Sequence, residues 1–326
     1  MVKEKISCWQ GSKILYNLCM GKVVVVRRDG DPTTDRLSAE GYRPLVASGL
    51  KALSGEADVT SAIRRYIPAG VIGMKINGLT SKLNSTPVAL TEVLSSVLEQ
   101  AGTEDNDIVI WERTNRELVE AGFTLNASSF GRRCLGTDTD GVGYGRRFYS
   151  SGEVSSLLSR VLTDVVDYNM NLPVLKDHSI AGLSAGLKNM FGAINNPNKY
   201  HDNNCDPYCG EVNNLGPIRS RNRLTIIDAT RVQYQGGPGY MAGYMARYGG
   251  LVISDDPVAA DRVGLEVLER LRLENGLPTL EDAGRPAKYL RSAEALGLGT
   301  ADFSRISLTV LFVNAEGGIR EGELFG

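Results

Sequence analysis

VIGMKINGLTSKLNSTPVALTEVLSSVLEQAG, residues 71–102, contains one complete strand–loop–helix unit. Its first part, residues 71–76, is a short apolar run that predicts a buried strand. A polar loop follows at residues 77–85, and helical periodicity then begins with Pro87 at the first helical position and stops at Gly102. Such a unit is typical of α/β proteins, in which ligands bind beside the carboxyl ends of the strands.

Two polar side chains of this unit lie at the predicted carboxyl end of its strand. Lys75 is within the strand, Asn77 comes directly after it, and Lys82 lies further along the loop. We expect Lys75 and Asn77 to contact a substrate at this edge of the sheet. The alternative interpretation is an ordinary strand-to-helix loop at residues 77–85 with no binding role.

The rest of the chain repeats this alternation of strands and helices. Further strands are predicted at residues 22–28, 107–111, 132–135, 164–169, 223–228, 251–254 and 306–313. Further helices are predicted at residues 42–53, 115–121, 154–162, 258–273 and 286–296. The predicted fold class is therefore α/β, with a mostly parallel sheet flanked by helices.

The domain organisation follows from the absence of a clean linker. We expect residues 22–326 to form a single α/β domain, preceded by an N-terminal extension of residues 1–21. An arrangement of two lobes around a central cleft is left open.

The segment VLKDHSIAGLSAGLKNMFGAINNPNKYHDNNCD, residues 174–206, concentrates reactive side chains. It contains both histidines of the chain, His178 and His201. A helix is predicted to begin near residues 177–179, so that its free N–H groups would form an anion site with His178 at its mouth. Ser184 and Lys188 are four residues apart and would share one face of that helix.

Each of these residues also has a structural interpretation. Glycine and alanine allow a helix to pack closely on a sheet, and a lysine on such a helix is commonly solvated. His178 alone is as well explained by a buried, hydrogen-bonded histidine. The presence of both histidines in one glycine-rich segment favours the functional interpretation.

A metal site is a second hypothesis for the end of this segment. His201, Cys205 and Cys209 recur every four residues, and Asp206 adjoins Cys205. Imidazole, thiolate and carboxylate are common ligands of transition metals. The ligands predicted on this hypothesis are His201, Cys205 and Asp206, and the alternative is a loop whose polar side chains bond to their own backbone.

The composition narrows the class of function. The chain has 326 residues, of which 42% are hydrophobic and 23% are charged, and its formal net charge is −2. These values are typical of a globular protein, and they argue against a nucleic-acid or membrane partner, which usually requires a basic surface. The five cysteines are scattered, which favours reduced thiols and a cytoplasmic location. Homo-oligomerisation is left open.

Several segments together resemble a known family. They are LPVLKDHSIAGLSAGLKNMFGAI, NPNKYHDNNCDPY, IIDATRVQYQGGPG and SDDPVAADRVG, with IGMKING and STPVALTEVLSSVLEQAG upstream. The chain resembles the domain of unknown function 362 family over nearly its whole length, residues 22–315. The resemblance implies little about activity because that family is largely uncharacterised. Some members carry a ferredoxin-like cysteine run, which this chain lacks.

A local resemblance concerns residues 178–188. They are similar to the lactate racemase motif H-x-x-A-G-x-S-G-x-x-K. In that family a lysine carries a nickel-pincer nucleotide, and histidines act as acid/base groups and as metal ligands. The resemblance therefore implies an acid/base role for His178, cofactor attachment for Lys188 and metal ligation for His201. The segment DGDPTTDR, residues 29–36, departs from that family's D-x-T-R-P pattern.

The leading functional hypothesis is an enzyme that acts on a small anionic or hydroxylated substrate by acid/base chemistry, as a racemase or isomerase does. Its predicted catalytic residues are His178, Lys188 and His201, because histidine titrates near neutrality and lysine binds anions or activates electrophiles. The predicted substrate-binding residues are Lys75, Asn77, Ser184, Asn189 and Asp228, the last of these at the end of a strand. The cofactor is left open, with nickel, iron or zinc as candidates. The alternative hypothesis is a metal-binding or electron-transfer protein without turnover of its own.

Overall fold

The computed structural model describes residues 21–30, 37–314 and 316–325 of the protein. The predicted N-terminal extension, with Cys8 and Cys19, therefore lies outside the described residues, apart from Gly21. The polar segment at residues 31–36 lies outside them as well.

The described residues form strands and helices in alternation. The strands are β1 (Gly21–Arg28), β2 (Ile72–Ile76), β3 (Ile108–Glu112), β4 (Arg133–Gly136), β5 (Tyr144–Ser151), β6 (Val154–Ser159), β7 (Tyr168–Leu172), β8 (Val174–His178), β9 (Gly182–Ser184), β10 (Asn222–Gln233), β11 (Met245–Ala246), β12 (Gly250–Ser254), β13 (Ile306–Val313) and β14 (Ile319–Glu321). The helices are α1 (Ala39–Ser54), α2 (Val59–Tyr66), α3 (Val88–Gln100), α4 (Asn115–Ala121), α5 (Gly186–Asn189), α6 (Tyr208–Asn213), α7 (Gly216–Arg221), α8 (Pro257–Glu274) and α9 (Tyr289–Ala295).

One sheet of 12 strands runs through the fold, in the order β14-β13-β1-β12-β10-β7-β2-β3-β4. Strands β8 and β11 also pair with β10, and β9 pairs with β8. The neighbours β10, β7, β2, β3 and β4 are all parallel to one another, whereas β12 runs antiparallel to both β1 and β10. The predicted α/β class with a mostly parallel sheet is confirmed, with antiparallel parts added. An arrangement of two lobes is not confirmed.

Both faces of the sheet are covered, and β1 illustrates why the chain folds in this way. Val23 and Val25 belong to one hydrophobic core, whereas Val24 and Val26 belong to the other. Successive side chains of a strand point to opposite faces, so an unbroken valine run is suited to a sheet with apolar layers on both sides. Helices α1 to α3 pack on one face, and α8 packs on the other.

The helix predicted at residues 154–162 is wrong, because residues 154–159 form strand β6. Its burial alternates along the chain, with Val154, Ser156 and Leu158 buried. This period of two residues fits a strand paired with β5 rather than a helix. Helix α2 was not predicted.

The helix predicted to begin near residues 177–179 is also wrong. Strand β8 ends at His178 and turns into β9, so that only α5 remains of the helix. Gly182 lies at a φ of +74°, and a Cβ there would lie 2.0 Å from the carbonyl oxygen of Arg285. Its glycine therefore permits a tight turn and a close backbone approach.

The predicted anion site at a helix N-terminus is replaced by an internal cap. The N–H groups of Gly186 and Leu187 donate to the two carboxylate oxygens of Asp261, at 2.6 and 2.9 Å. Asp261 comes from α8 and is fully buried, and burial raises its pKa to about 7. The first N–H groups of α5 are therefore satisfied by a side chain of the protein itself.

Across the described ranges, no helix combines the length and the apolar character needed to cross a lipid bilayer.

Candidate functional site

A cavity of about 310 Å³ lies where β2, β3 and β8 end. Because these strands run in the same direction, the cavity is at the carboxyl edge of the sheet, as the strand–loop–helix unit predicted. Its volume is at the lower end of the range for small-molecule sites. The predicted site residues that line it are Asn77, His178, Ser184, Lys188, Asn189 and His201.

Lys188 and His201 form a hydrogen-bonded pair in this cavity. Lys188 Nζ lies 3.0 Å from His201 Nε2, and His201 Nδ1 lies 3.0 Å from the carbonyl oxygen of Pro197. A carbonyl oxygen only accepts, so Nδ1 carries the proton of the neutral ring and Nε2 accepts from Lys188. Burial lowers the pKa of Lys188, and burial together with the nearby Lys188 charge lowers the pKa of His201.

The ring of Phe191 forms one wall beside this pair. Lys188 Nζ lies 3.8 Å from the centroid of the Phe191 ring, and the rings of Phe191 and His201 meet edge to face at 5.6 Å. Lys188 is 8% exposed and has no carboxylate within salt-bridge distance among the described residues. Its amine is thus surrounded by an aromatic face and an imidazole lone pair.

His178 presents a hydrogen-bond donor to the cavity. Its Nδ1 accepts from the backbone N–H groups of Ile180 and Ala181, both at 3.2 Å. The proton of the neutral ring is therefore on Nε2. Burial lowers the pKa of His178 to about 3, with smaller contributions from neighbouring cations, of which Lys188 is the largest. His178 is thus a neutral imidazole near pH 7.

The two histidines are neighbours in the folded protein. Their rings are stacked, with centroids 5.8 Å apart and planes inclined by 28°. His178 ends β8, whereas His201 follows a short turn at residues 197–200. The concentration of both histidines in residues 174–206 therefore corresponds to one site in space.

Lys75 does not line the cavity but forms a buried ion pair with a residue that does. It is fully buried, and its Nζ lies 2.8 Å from Glu112 Oε1 and 2.6 Å from the carbonyl oxygen of Ile76. Glu112, at the end of β3, does line the cavity, and it accepts further hydrogen bonds from the N–H groups of Gly78 and Arg113. The predicted contact of Lys75 with a substrate is therefore replaced by a buried ion pair.

A chain of amides fixes the orientation of Asn77 and Asn189. Lys176 Nζ donates to Asn77 Oδ1 at 2.9 Å, and Asn77 Nδ2 donates to Asn189 Oδ1 at 3.2 Å. Asn189 Nδ2 then donates to Asn171 Oδ1 at 2.8 Å. Because an ammonium group only donates, Lys176 determines which way each amide points. Lys176 is fully buried, and burial lowers its pKa to about 7.

Asp228 lies outside the cavity. Its Oδ2 accepts from the Tyr42 hydroxyl at 3.0 Å, and its Oδ1 accepts from the backbone and the hydroxyl of Thr230. Tyr42 belongs to the core on the α1 face of the sheet. Asp228 therefore does not line this cavity, and substrate binding by Asp228 stays a prediction, although its strand was predicted.

The structure does not bring His201, Cys205 and Asp206 together as a ligand set. Asp206 accepts from the hydroxyl of Ser292, and the Sγ of the buried Cys205 lies 3.9 Å from the backbone carbonyl oxygen of His201. Within residues 21–30, 37–314 and 316–325, no three His, Cys, Asp or Glu side chains are grouped so as to hold a metal ion. Asn203, Asn204 and Cys205 all have positive φ, so this segment is not the regular helix that would align residues four apart.

The glycine-rich segment after β10 closes one side of the cavity. Pro238 lines it, while the N–H of Gly237 donates to Asp177 Oδ2 at 3.0 Å and its carbonyl accepts from Ser179 at 2.9 Å. A Cβ on Gly237 would lie 1.8 Å from the carbonyl oxygen of Asp177. Only glycine permits this approach, which ties the segment to the residues around His178.

A larger depression of about 1020 Å³ elsewhere in the fold is a weaker candidate. Two of the cations that line it, Lys22 and Arg219, donate to backbone carbonyl oxygens. Lys22 donates to the carbonyl oxygens of Ala52 and Leu53, and Arg219 donates to those of Leu296 and Gly297.

Sequence reasoning missed four charged residues of the site. Glu112 lines the cavity together with the Arg113–Glu117 ion pair, and Lys176 lies buried behind it. Glu112 follows the strand predicted at residues 107–111 and could have been found by the same rule that indicated Asn77. Lys176 lies inside β8, and the pattern gave no signal that its amine would be buried among amides.

The fold belongs to the α/β class, and its polar cavity lies at the carboxyl edge of the sheet. Within that class, residues 72–266, about 60% of the chain, match the model of the family described as "Domain of unknown function (DUF362)". The chain belongs to this family.

Comparison with individual proteins adds little. No curated protein matches the chain. A crystal structure of a Thermotoga maritima protein, a target of the Northeast Structural Genomics Consortium, is similar with a TM-score of 0.38 and 11% identity. The match covers 76% of this chain and 60% of that protein, so the chain spans about 60% of its length. The local resemblance to lactate racemases stays a prediction.

Proposed function

We propose that the protein is an enzyme that binds a small anionic or hydroxylated molecule in the 310 Å³ cavity and moves a proton on it. The observation that carries this proposal is the Lys188–His201 pair, a buried amine and a neutral imidazole 3.0 Å apart at a cavity wall. Groups with lowered pKa values in a cavity are candidates for acid/base work.

His178 serves in this proposal as a hydrogen-bond donor rather than as a base. Its Nδ1 is occupied by two backbone N–H groups, and Nε2 carries the proton of the neutral ring. A neutral imidazole of this kind polarises a substrate oxygen and stabilises the negative charge that develops on it, an arrangement known from triosephosphate isomerase. The hypothesis from sequence, in which His178 itself accepts a proton, is modified accordingly.

Lys188 and His201 supply the proton-accepting function. Burial lowers the pKa of Lys188, which favours its neutral amine, and His201 Nε2, 3.0 Å away, can receive a proton from it. Removal of a proton from the carbon beside a carboxylate or a carbonyl group needs a base on one side and a donor to the oxygen on the other. The cavity provides both, which supports a racemase- or isomerase-like reaction.

Lys188→Met should abolish turnover while the fold is retained. The variant keeps the length of the side chain and removes the amine, so we expect exchange of solvent hydrogen into the substrate to fall by about 100-fold or more. The measurement is incorporation of deuterium beside the carboxylate, followed by proton NMR with lactate, malate, glycerate and their 2-oxo analogues. A ligand that raises the melting temperature of the wild type should lose this effect in the variant.

The matched control is Lys199→Met. Lys199 is exposed and lies in the turn just before His201. The Lys199→Met variant removes a lysine charge close to the site but changes no residue that lines the cavity. Activity and ligand binding should therefore remain at the wild-type level. Equal activity of Lys188→Met and the wild type on a substrate found in this way would refute the proposed role of the pair.

A further inference from the structure

The three lysines around the cavity have different partners. Lys75 is neutralised by Glu112, and Lys176 donates to amide and hydroxyl oxygens. Lys188 instead contacts the imidazole lone pair of His201 and the face of Phe191. Among these three amines, only Lys188 lines the cavity and has a proton acceptor as its hydrogen-bond partner.

We infer that Lys188 forms an imine with a small carbonyl compound, a 2-oxo acid or an aldehyde, bound between His178 and His201. The inference rests on the proposed function and adds to it the chemical class of the substrate and a covalent step. An amine in an apolar, partly desolvated site is the usual form of a lysine nucleophile. Burial also lowers the pKa of Lys188, which favours the neutral amine.

The side chains at the cavity account for every bond and proton in the formation of this imine. The Lys188 amine attacks the carbonyl carbon and forms a C–N bond, while the C=O π electrons move to oxygen, where His178 Nε2–H stabilises the charge. The proton lost from nitrogen passes to His201 Nε2 and is returned to that oxygen. A second proton from the nitrogen accompanies the oxygen as water leaves, and a C=N bond remains. The carbonyl compound and the amine are thus converted to an imine and water, with no change of oxidation state.

The cavity also restricts the size and charge of the carbonyl compound. A volume of about 310 Å³ suits a compound of a few carbon atoms. The donors that line the cavity include His178, the hydroxyl of Ser184 and the guanidinium group of Arg113. The two carboxylates of the lining are already paired, Glu112 with Lys75 and Glu117 with Arg113. A carboxylate adjacent to the carbonyl would meet these donors, which favours 2-oxo acids over neutral ketones.

Reductive trapping tests the imine directly. The full-length protein is incubated with sodium cyanoborohydride and, in separate samples, pyruvate, glyoxylate or acetaldehyde, and its intact mass and peptide map are then recorded. Cyanoborohydride delivers hydride to the C=N bond and converts the imine to a stable secondary amine. We expect one adduct, on Lys188, whose mass matches each probe, and no adduct with lactate, which has no carbonyl group. Lys199 is the internal control, because it is an exposed amine close to the same site.

The outcomes separate this inference from the proposed function. Selective labelling of Lys188, lost in Lys188→Met and slowed in His201→Asn, supports it. Labelling of Lys199 at an equal rate, absence of an adduct with all three carbonyl probes, or an existing modification of Lys188 in untreated protein would overturn it. If no imine is trapped but hydrogen exchange still depends on Lys188, the covalent step fails and the acid/base proposal stands.

Discussion

Glu112→Gln should lower the free energy of unfolding by about 3–5 kcal/mol, because it leaves the Lys75 charge buried without a counter-ion. Lys75 is fully buried, and its Nζ lies 2.8 Å from Glu112 Oε1. Glutamine keeps the shape of the side chain and one acceptor oxygen for Lys75 and Gly78, so the variant loses the negative charge and the hydrogen bond from the N–H of Arg113. Urea denaturation of the wild type and the variant, compared at equal m-value, measures the difference.

Two further variants isolate the charge effect. Lys75→Met combined with Glu112→Gln removes both charges, and this double variant should be more stable than Glu112→Gln alone. Asp164→Asn breaks the Arg160–Asp164 pair, in which both side chains are about half exposed, and should cost less than about 1 kcal/mol. If Glu112→Gln costs no more than Asp164→Asn, the buried pair does not contribute in the way described.

The fold was largely predictable because its strands are short apolar runs between clear breakers. The strand at residues 306–313 and the helix at residues 115–121 have the predicted bounds. The failure at residues 154–162 has a local cause. Its apolar residues also satisfy a helical spacing, and only the pairing with β5 selects the strand.

The site was predicted better by residue type than by geometry. Six predicted residues line one cavity, although the helix that was expected to align Ser184 with Lys188 does not exist. The glycines that suggested close approach to a ligand instead permit approach of the backbone, as Gly182 does against Arg285. Such contacts connect residues about 100 positions apart, which no local pattern encodes.

The arrangement of charge around the cavity could not be derived from sequence. Lys75, Lys176 and Lys188 all lie in or after apolar runs, yet one is paired with a carboxylate, one with neutral oxygens and one with an imidazole. Which partner each lysine meets depends on strand register and on side-chain direction across four strands. The difference matters for chemistry, because only the third arrangement leaves an amine beside a proton acceptor at a cavity wall.

The pH dependence of stability should report the neutral state of His178. The folded protein holds the pKa of His178 at about 3, whereas an unfolded histidine has a pKa near 6.5. Between these values the unfolded chain binds a proton that the folded protein does not. The contribution of His178 to the free energy of unfolding is therefore fully present above about pH 6.5. It decreases as the pH falls towards 3, by about 2 kcal/mol between pH 7 and pH 5.

His178→Asn makes this contribution measurable, because asparagine Oδ1 can accept from the N–H groups of Ile180 and Ala181 but does not titrate. Burial raises the pKa of Asp261 to about 7 and that of Asp256 to about 6. Their contribution to the free energy of unfolding therefore decreases as the pH rises, whereas that of His178 increases. The two carboxyl groups are present in both proteins and cancel in the difference. The stability of the wild type relative to His178→Asn should thus fall by about 2 kcal/mol from pH 7 to pH 5. A difference that stays constant over this range would show that the pKa of His178 is the same in the folded and unfolded states, which would contradict a buried ring held neutral by the fold.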